Sequence, residues 1–269
     1  MRTSGVGASD RRESGRGAGW RVGLVALLAF TLPAACTPSG TPVESAAPAG
    51  AEESLRVLFV GNSLTYVNDL PGMLRELLRQ EGLDVVTASM AEPNFGLEDH
   101  WVRRATHDRI AEGWDVVIMQ QGPSATEGRP SLLEFAERFA RPIREAGATP
   151  ALYMVWPAAT RSFDFQGVSN SYAAAADGVE GLLFPAGEAW LDAWEFDENI
   201  GLYGGDRFHP SPLGSYLAAL VMYEQLAGAD ARELTSDIPG FEGIATVAEL
   251  QTLRQAAHRA NLDHRRAHE

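Results

Sequence analysis

Cysteine is almost missing from this 269-residue chain: Cys36 stands alone. A disulfide within the chain is excluded, and so is a zinc site that needs two or more thiolates. Lysine is missing altogether, so all 22 basic residues are Arg, which we attribute to genome composition rather than to function. Positive charge is scarce: 22 basic against 36 acidic residues leave a formal net charge of −14 and a pI near 4.9. That balance disfavours nucleic acid as a partner, because phosphate binding needs clustered basic side chains. No internal repeat is visible. No G-x-G-x-x-G follows the first strand-like run, so a dinucleotide site is unsupported. What remains is ordinary for a globular protein: 45% hydrophobic and 22% charged residues, with length enough for one good-sized domain and a full core.

The lone cysteine has a telling position. Arg11, Arg12, Arg16 and Arg21 precede an apolar run over residues 22–32, and Pro33-Ala34-Ala35-Cys36 follows. The run is short for a bilayer span and suits the core of a signal peptide over residues 1–35. Small residues before a cysteine resemble a bacterial lipobox, in which cleavage leaves a lipidated cysteine, here Cys36, as the first residue. Pro33 departs from that pattern, which usually has Leu there. Without residues 1–35 the chain loses five Arg and two acids, leaving 17 basic and 34 acidic residues. Such a surface is repelled by anionic lipid, so attachment to a lipid bilayer is expected through acyl chains on Cys36. The expected location is the bacterial cell envelope, lipid-anchored, or secreted if Cys36 carries no lipid. Residues 36–53 are rich in Pro, Ala, Ser, Gly and Glu and read as a flexible tether. The folded domain is expected over residues 54–269.

Within it, short apolar runs alternate with amphipathic stretches. Strands are expected over 55–60, 84–90, 115–120, 151–156 and 182–184. Helices are expected over 70–80, 97–111, 131–146 with a kink at Pro142, 186–194, 211–225 and 246–266. Ser211 as N-cap and Pro212 behind it mark one helix start. Between residues 157 and 186 the signals weaken. Alternating strands and helices, with strands apolar at nearly every position, argue for an α/β fold: a parallel sheet of about five strands between two helical layers. Ligands of such sheets lie at the carboxyl ends of the strands.

Three places there carry chemistry. Gly61-Asn62-Ser63-Leu64-Thr65 follows the first strand and puts a hydroxyl where a tight turn leaves the sheet. Asp206-x-x-His209 stands just before a capped helix, a spacing at which a carboxylate can hold one ring nitrogen and leave the other as a base. Gln120, Gln121, Gly122, Pro123 and Ser124 end the third strand with two amides, uncommon on an apolar strand unless satisfied.

Together these blocks resemble the SGNH-hydrolase superfamily, also called GDSL hydrolases, over residues 55–227. Gly61-Asn62-Ser63-Leu64 stands for the family's Gly-Asp-Ser-Leu block, and Asp206 to His209 for its Asp-x-x-His block. Gly96 in Asn94-Phe95-Gly96-Leu97 is the best match to the glycine after strand two. The resemblance implies a three-layer, flavodoxin-like fold and a serine esterase with the triad Ser63, His209 and Asp206. It implies oxyanion donors from Ser63 and Gly96, and neither metal nor cofactor. The family's Gly-x-Asn-Asp block is not kept: Ser124 stands at the Asn position, and Gln120 or Gln121 is expected to supply the amide. The expected substrate is an ester carrying an acetyl or short acyl group, on a glycan such as an acetylated carbohydrate or on a lipid. The alternatives are a weakly active or inactive glycan-binding protein of the same fold, and an acyltransferase using the same triad.

The remaining features read as structural. Trp101 and Trp156 are placed to stack a sugar ring but more simply fill the core. His100 and His107 fall on a polar helix face and are expected in solvent. His258, Asp263, His264 and His268 gather near the C-terminus, where a frayed, Arg-rich end is a poor metal holder.

Overall fold

The computed structural model describes residues 54–234 and 243–268. The leader, Cys36 and the tether, expected over residues 1–53, lie outside the described residues, apart from the domain boundary itself. Five parallel strands, β1 (Leu55–Gly61), β2 (Val85–Ala91), β3 (Val116–Met119), β4 (Thr149–Tyr153) and β5 (Leu182–Phe184), form one sheet in the order β2-β1-β3-β4-β5. This is the doubly wound order in which the chain reverses direction across the sheet between β1 and β3. Val57, Leu58, Phe59 and Val60 of β1 are all at most 1% exposed, as a central strand covered on both faces requires. Each such side chain contributes about 1.5–3 kcal/mol by leaving water.

The helices are α1 (Ser63–Tyr66), α2 (Leu70–Gln80), α3 (Leu97–Trp101), α4 (Arg104–Ile110), α5 (Arg129–Glu145), α6 (Phe165–Gly178), α7 (Ala186–Phe196), α8 (Pro212–Ala227) and α9 (Val247–His268). α2, α7, α8 and α9 pack together as one layer, and α3 to α6 as the other, giving the expected three-layer α/β/α architecture. Helix α8 starts as its sequence predicts: Ser211 Oγ accepts from the Gly214 N–H, and Pro212 fills the first turn. No helix among the described residues is long and apolar enough to cross a membrane.

The structure departs from the expected elements in three places. The helix expected over 97–111 is broken, because Arg103 is extended (φ −94°, ψ 116°) and the chain turns between α3 and α4. The strand expected over 151–156 begins and ends earlier, since Met154–Pro157 leave the sheet toward α7. Helix α6 occupies the stretch where signals were weak. It is rich in Ala, Ser and Gly, so its buried face, with Phe165, Val168 and Tyr172, makes little contrast with its outer face.

Candidate active site

The carboxyl ends of β1 and β3 open at the point where the strand order reverses. Ser63 begins α1 one residue after Asn62, which caps that helix: Asn62 Oδ1 accepts from the Leu64 N–H at 3.0 Å. The turn leaves the Ser63 Oγ at the cleft, 2.8 Å from His209 Nε2 across 146 residues of sequence. His209 Nδ1 lies 2.5 Å from Asp206 Oδ2. The other carboxylate oxygen, Oδ1, accepts the backbone N–H groups of Phe208 at 3.0 Å and His209 at 2.9 Å. The hydrogen bond to His209 first, and those two N–H donors next, hold the Asp206 carboxyl down to about 2. Because Asp206 takes the proton on Nδ1, Nε2 is left as the acceptor toward the serine hydroxyl.

An aromatic stack carries the His209 loop. Trp156 lies flat on Trp190, with ring centroids 3.6 Å apart, and Trp194 and Tyr203 pack beside them. Trp156 Nε1 donates to the Phe208 carbonyl at 3.1 Å, and the Tyr203 hydroxyl donates to that of Pro157 at 2.6 Å. The Gly204 N–H donates to the His209 carbonyl at 2.7 Å. Trp156 is fully buried and is a core residue, not a sugar platform. Trp101 packs edge-on against Phe139 and His107 and has the same role.

The two glutamines behave differently from expectation. Gln120 is 1% exposed, and its Oε1 accepts from the Asn62 N–H and the Thr65 hydroxyl. Its Nε2 donates to Asn62 Oδ1 and the Gln121 carbonyl. Gln121 Oε1 accepts from the Leu97 N–H, while its Nε2 donates to Ser124 Oγ and the Gly128 carbonyl. All four amide N–H groups are therefore committed inside the fold. This corrects the expectation that Gln120 or Gln121 donates to an oxyanion: they are braces that lock β1 to β3 and to the loop after β2. Ser124 does not stand in for the missing Asn either, since its hydroxyl donates to the Gly122 carbonyl. Tyr172 of α6 supports this loop from below, its hydroxyl bonded to the Gln121 N–H and carbonyl.

Bracing predicts a particular phenotype. Gln120→Ala strands the buried Asn62 N–H and Thr65 hydroxyl, so it is expected to cost about 2–4 kcal/mol of stability. A chemical-denaturation midpoint close to wild type would remove the bracing role. An oxyanion donor, by contrast, would lower kcat without lowering stability.

Of the backbone donors, the Ser63 N–H has no partner among the described residues. The Gly96 N–H reaches the same cleft and donates to Asp99 Oδ2 at 2.9 Å. Asn62 Nδ2 holds the Phe95 carbonyl at 2.8 Å, which fixes this loop beside the serine. The cleft measures about 380 Å³ and is walled by Asn94, Glu98, Asp99, Gln121, Ser124 and Ser131, with Phe95 and Phe208 as flat surfaces. Asn94, Ser124 and Arg207 hold positive φ values of 61°, 57° and 61°, so backbone strain gathers in the loops around it. A larger groove of about 830 Å³ on α5 is lined by Arg138, Arg141 and Arg144 with Glu134 and Glu137, and offers charge without a nucleophile.

His100 is a further correction. It is not in solvent: it is 1% exposed, and its Nε2 lies 2.7 Å from the Gly61 carbonyl. A carbonyl only accepts, so Nε2 carries the proton, and burial pushes the ring toward the neutral form. His107 is partly buried, stacked on Phe139, and bonded to the Trp101 carbonyl. His258 Nδ1 bonds Glu224 at 2.6 Å and joins α9 to α8. Glu224, Asp230 and His258 place metal-ligand atoms within 4.8 Å of one another, but Arg232 already pairs with Asp230, so we read an ion-pair clamp. The side chain of His268 lies outside the described residues.

No family model and no curated protein matches the chain. Solved structures do. A protein of Slackia heliotrinireducens, described as a candidate SGNH hydrolase, is 29% identical; the match covers 65% of this chain and all of that one, with a TM-score of 0.56. A DUF4886 family protein of Bacteroides uniformis is 19% identical over 78% of this chain and 95% of its own, with a TM-score of 0.66. An acetyl xylan esterase is 18% identical over 64% of this chain and all of its own, with a TM-score of 0.54. At those two identities the likeness speaks for the fold. With the sheet order, the position of Ser63 at the strand reversal and the first of these matches taken together, the chain belongs to the SGNH-hydrolase superfamily.

Proposed function

We propose that the protein is a serine esterase that removes a short acyl group from a polar alcohol, as on an acetylated glycan. The observation that carries this is the continuous chain from Ser63 Oγ through His209 to Asp206, whose two links measure 2.8 and 2.5 Å. His209 takes the hydroxyl proton as Ser63 Oγ bonds to the ester carbonyl carbon. Asp206 stabilises the imidazolium, and the negative oxygen takes the Ser63 and Gly96 N–H groups. The bond to the alcohol oxygen then breaks, and the alcohol leaves with the proton from His209. Water, deprotonated by His209, adds to the acyl carbon; the bond to Ser63 Oγ then breaks, the carboxylic acid leaves, and Ser63 Oγ takes the proton back from His209. Labelling with a fluorophosphonate, followed by peptide mapping, tests the assignment: the adduct is expected on Ser63. An adduct elsewhere, or none, would remove it.

The cleft supports the substrate class. Its wall is hydroxyl, amide and carboxylate with two aromatic faces, which suits a polyhydroxylated alcohol. The adjoining pocket, about 230 Å³ behind Pro123 and Phe208, sets the apolar surfaces of Ala125, Pro157 and Ala158 beside Glu127, Arg161 and Asp164, and suits a short acyl group. A long chain finds too little apolar surface there, and each CH₂ left in water forgoes about 0.8 kcal/mol. Hydrolysis of p-nitrophenyl acetate is expected to match or exceed that of the palmitate in kcat/KM, since CH₂ groups left in water add nothing to transition-state binding. A kcat/KM well above the acetate's for the palmitate would redirect the reading to lipid esters. Export and an acyl anchor on Cys36 complete the proposal and place such a substrate in the cell envelope.

A further inference from the structure

We propose that the Asp99 carboxylate is a latch on the oxyanion site, holding the Gly96 N–H at rest and releasing it when the tetrahedral intermediate forms. The inference rests on the serine-hydrolase reading above and goes beyond it.

The donor inventory carries it. Of the side-chain amides around the cleft, Gln120 and Gln121 have all their N–H groups committed to the fold, Asn62 Nδ2 holds the Phe95 carbonyl, and Asn94 is exposed on the rim. The Ser63 N–H is open. The remaining backbone donor, the Gly96 N–H, is occupied at 2.9 Å by a carboxylate oxygen of Asp99. One donor is a poor oxyanion site, and loss of a second costs 10²–10³-fold in comparable enzymes. The occupant is also of the wrong sign, because a carboxylate beside a forming oxyanion repels it.

Asp99 is placed to leave. It is exposed at the cleft rim, and its short side chain reaches water by rotation about one bond, without backbone movement. The segment it caps does not depend on it. Asn62 Nδ2 holds the Phe95 carbonyl at 2.8 Å, and Gln121 Oε1 holds the Leu97 N–H at 3.2 Å. Gly96 is therefore pinned on both sides while its own N–H is freed. Glu98, exposed on the same wall, adds to the negative field that a departing carboxylate must leave behind.

Steady-state kinetics with p-nitrophenyl acetate and the rate of fluorophosphonate labelling test this in four proteins: wild type, Asp99→Ala, Gly96→Pro and the double variant. Proline removes the N–H, and Gly96 sits at φ −93°, ψ 178°, an extended conformation that proline reaches by a backbone turn of about 15–30° in φ. Asp99→Ala is expected to raise kcat about 3- to 10-fold with KM little changed, because the freed donor bonds the charge only in the transition state. Labelling accelerates in parallel. In the Gly96→Pro background the same substitution is expected to give no gain. A purely structural cap predicts the opposite sign, since losing it disorders the loop and lowers kcat. A fall or no change in kcat in Asp99→Ala overturns the latch, and so does a gain that persists without the Gly96 N–H. Should Asp99→Ala fail to fold, Asp99→Leu, which keeps similar bulk and helix propensity but removes the acceptor, decides by the same criteria. Wild type that labels at Ser63 while Asp99→Ala labels no faster sinks the latch alone. Wild type that does not label at Ser63 sinks the esterase reading as well.

Discussion

Ser63→Ala is expected to leave a folded protein whose hydrolysis of p-nitrophenyl acetate is slower by about 10⁴-fold or more. The Oγ is the only atom removed, and its hydrogen bond is to His209 Nε2. Ser63 is partly buried and the cap of α1 belongs to Asn62, so the melting temperature should move little. The residue left behind keeps its backbone N–H, and residual rate from binding and donors alone is therefore expected. Turnover above a tenth of wild type in a protein of unchanged stability would place the nucleophile elsewhere.

Asp206→Asn is expected to lower kcat by about 10²–10³-fold, less than at a fully buried triad because this carboxylate is about half exposed. The mechanism is a tautomer change. An amide oxygen can still accept from the Phe208 and His209 N–H groups, which leaves the amide NH₂ facing His209 Nδ1. Nδ1 must then accept, the ring proton moves to Nε2, and the base toward Ser63 is lost. The pH dependence follows from the same bonds. Asp206 is held down to about 2, so it stays ionised, and able to accept from His209 Nδ1, through the mildly acidic range. A carboxyl depressed in the fold adds stability above its ordinary value near 3.8, and that share is lost as pH falls toward about 2. An Asp206→Asn variant with wild-type kcat would exclude the relay.

Much of the fold was legible in the chain, because central parallel strands are apolar throughout and leave little ambiguity. Residues 55–60 show this most clearly. Ser211-Pro212 marked a helix start for an equally local reason. Helix α6 escaped because Ala and Ser on both faces hide a helical period. The triad residues are readable one by one, yet their meeting is a property of the sheet order, which no local pattern reports. The hydrogen bonds behind the serine and its loop were not legible at all. Whether an amide points into a cleft or back into the fold depends on partners 55–58 residues away, as Thr65 and Asn62 are from Gln120. His100 was misread for a related reason: its neighbours in sequence are polar, but its ring turns inward to the end of β1.

The tryptophan stack beneath the His209 loop has one more consequence. Half of the six indoles in the chain, Trp156, Trp190 and Trp194, sit in that stack, and one of them bonds the carbonyl immediately before His209. Any displacement of the loop alters the polarity felt by an excited ring. The protein thus carries a built-in optical reporter, and a ligand of the Ser63 cleft that shifts this loop becomes readable as a change in intrinsic emission without a dye.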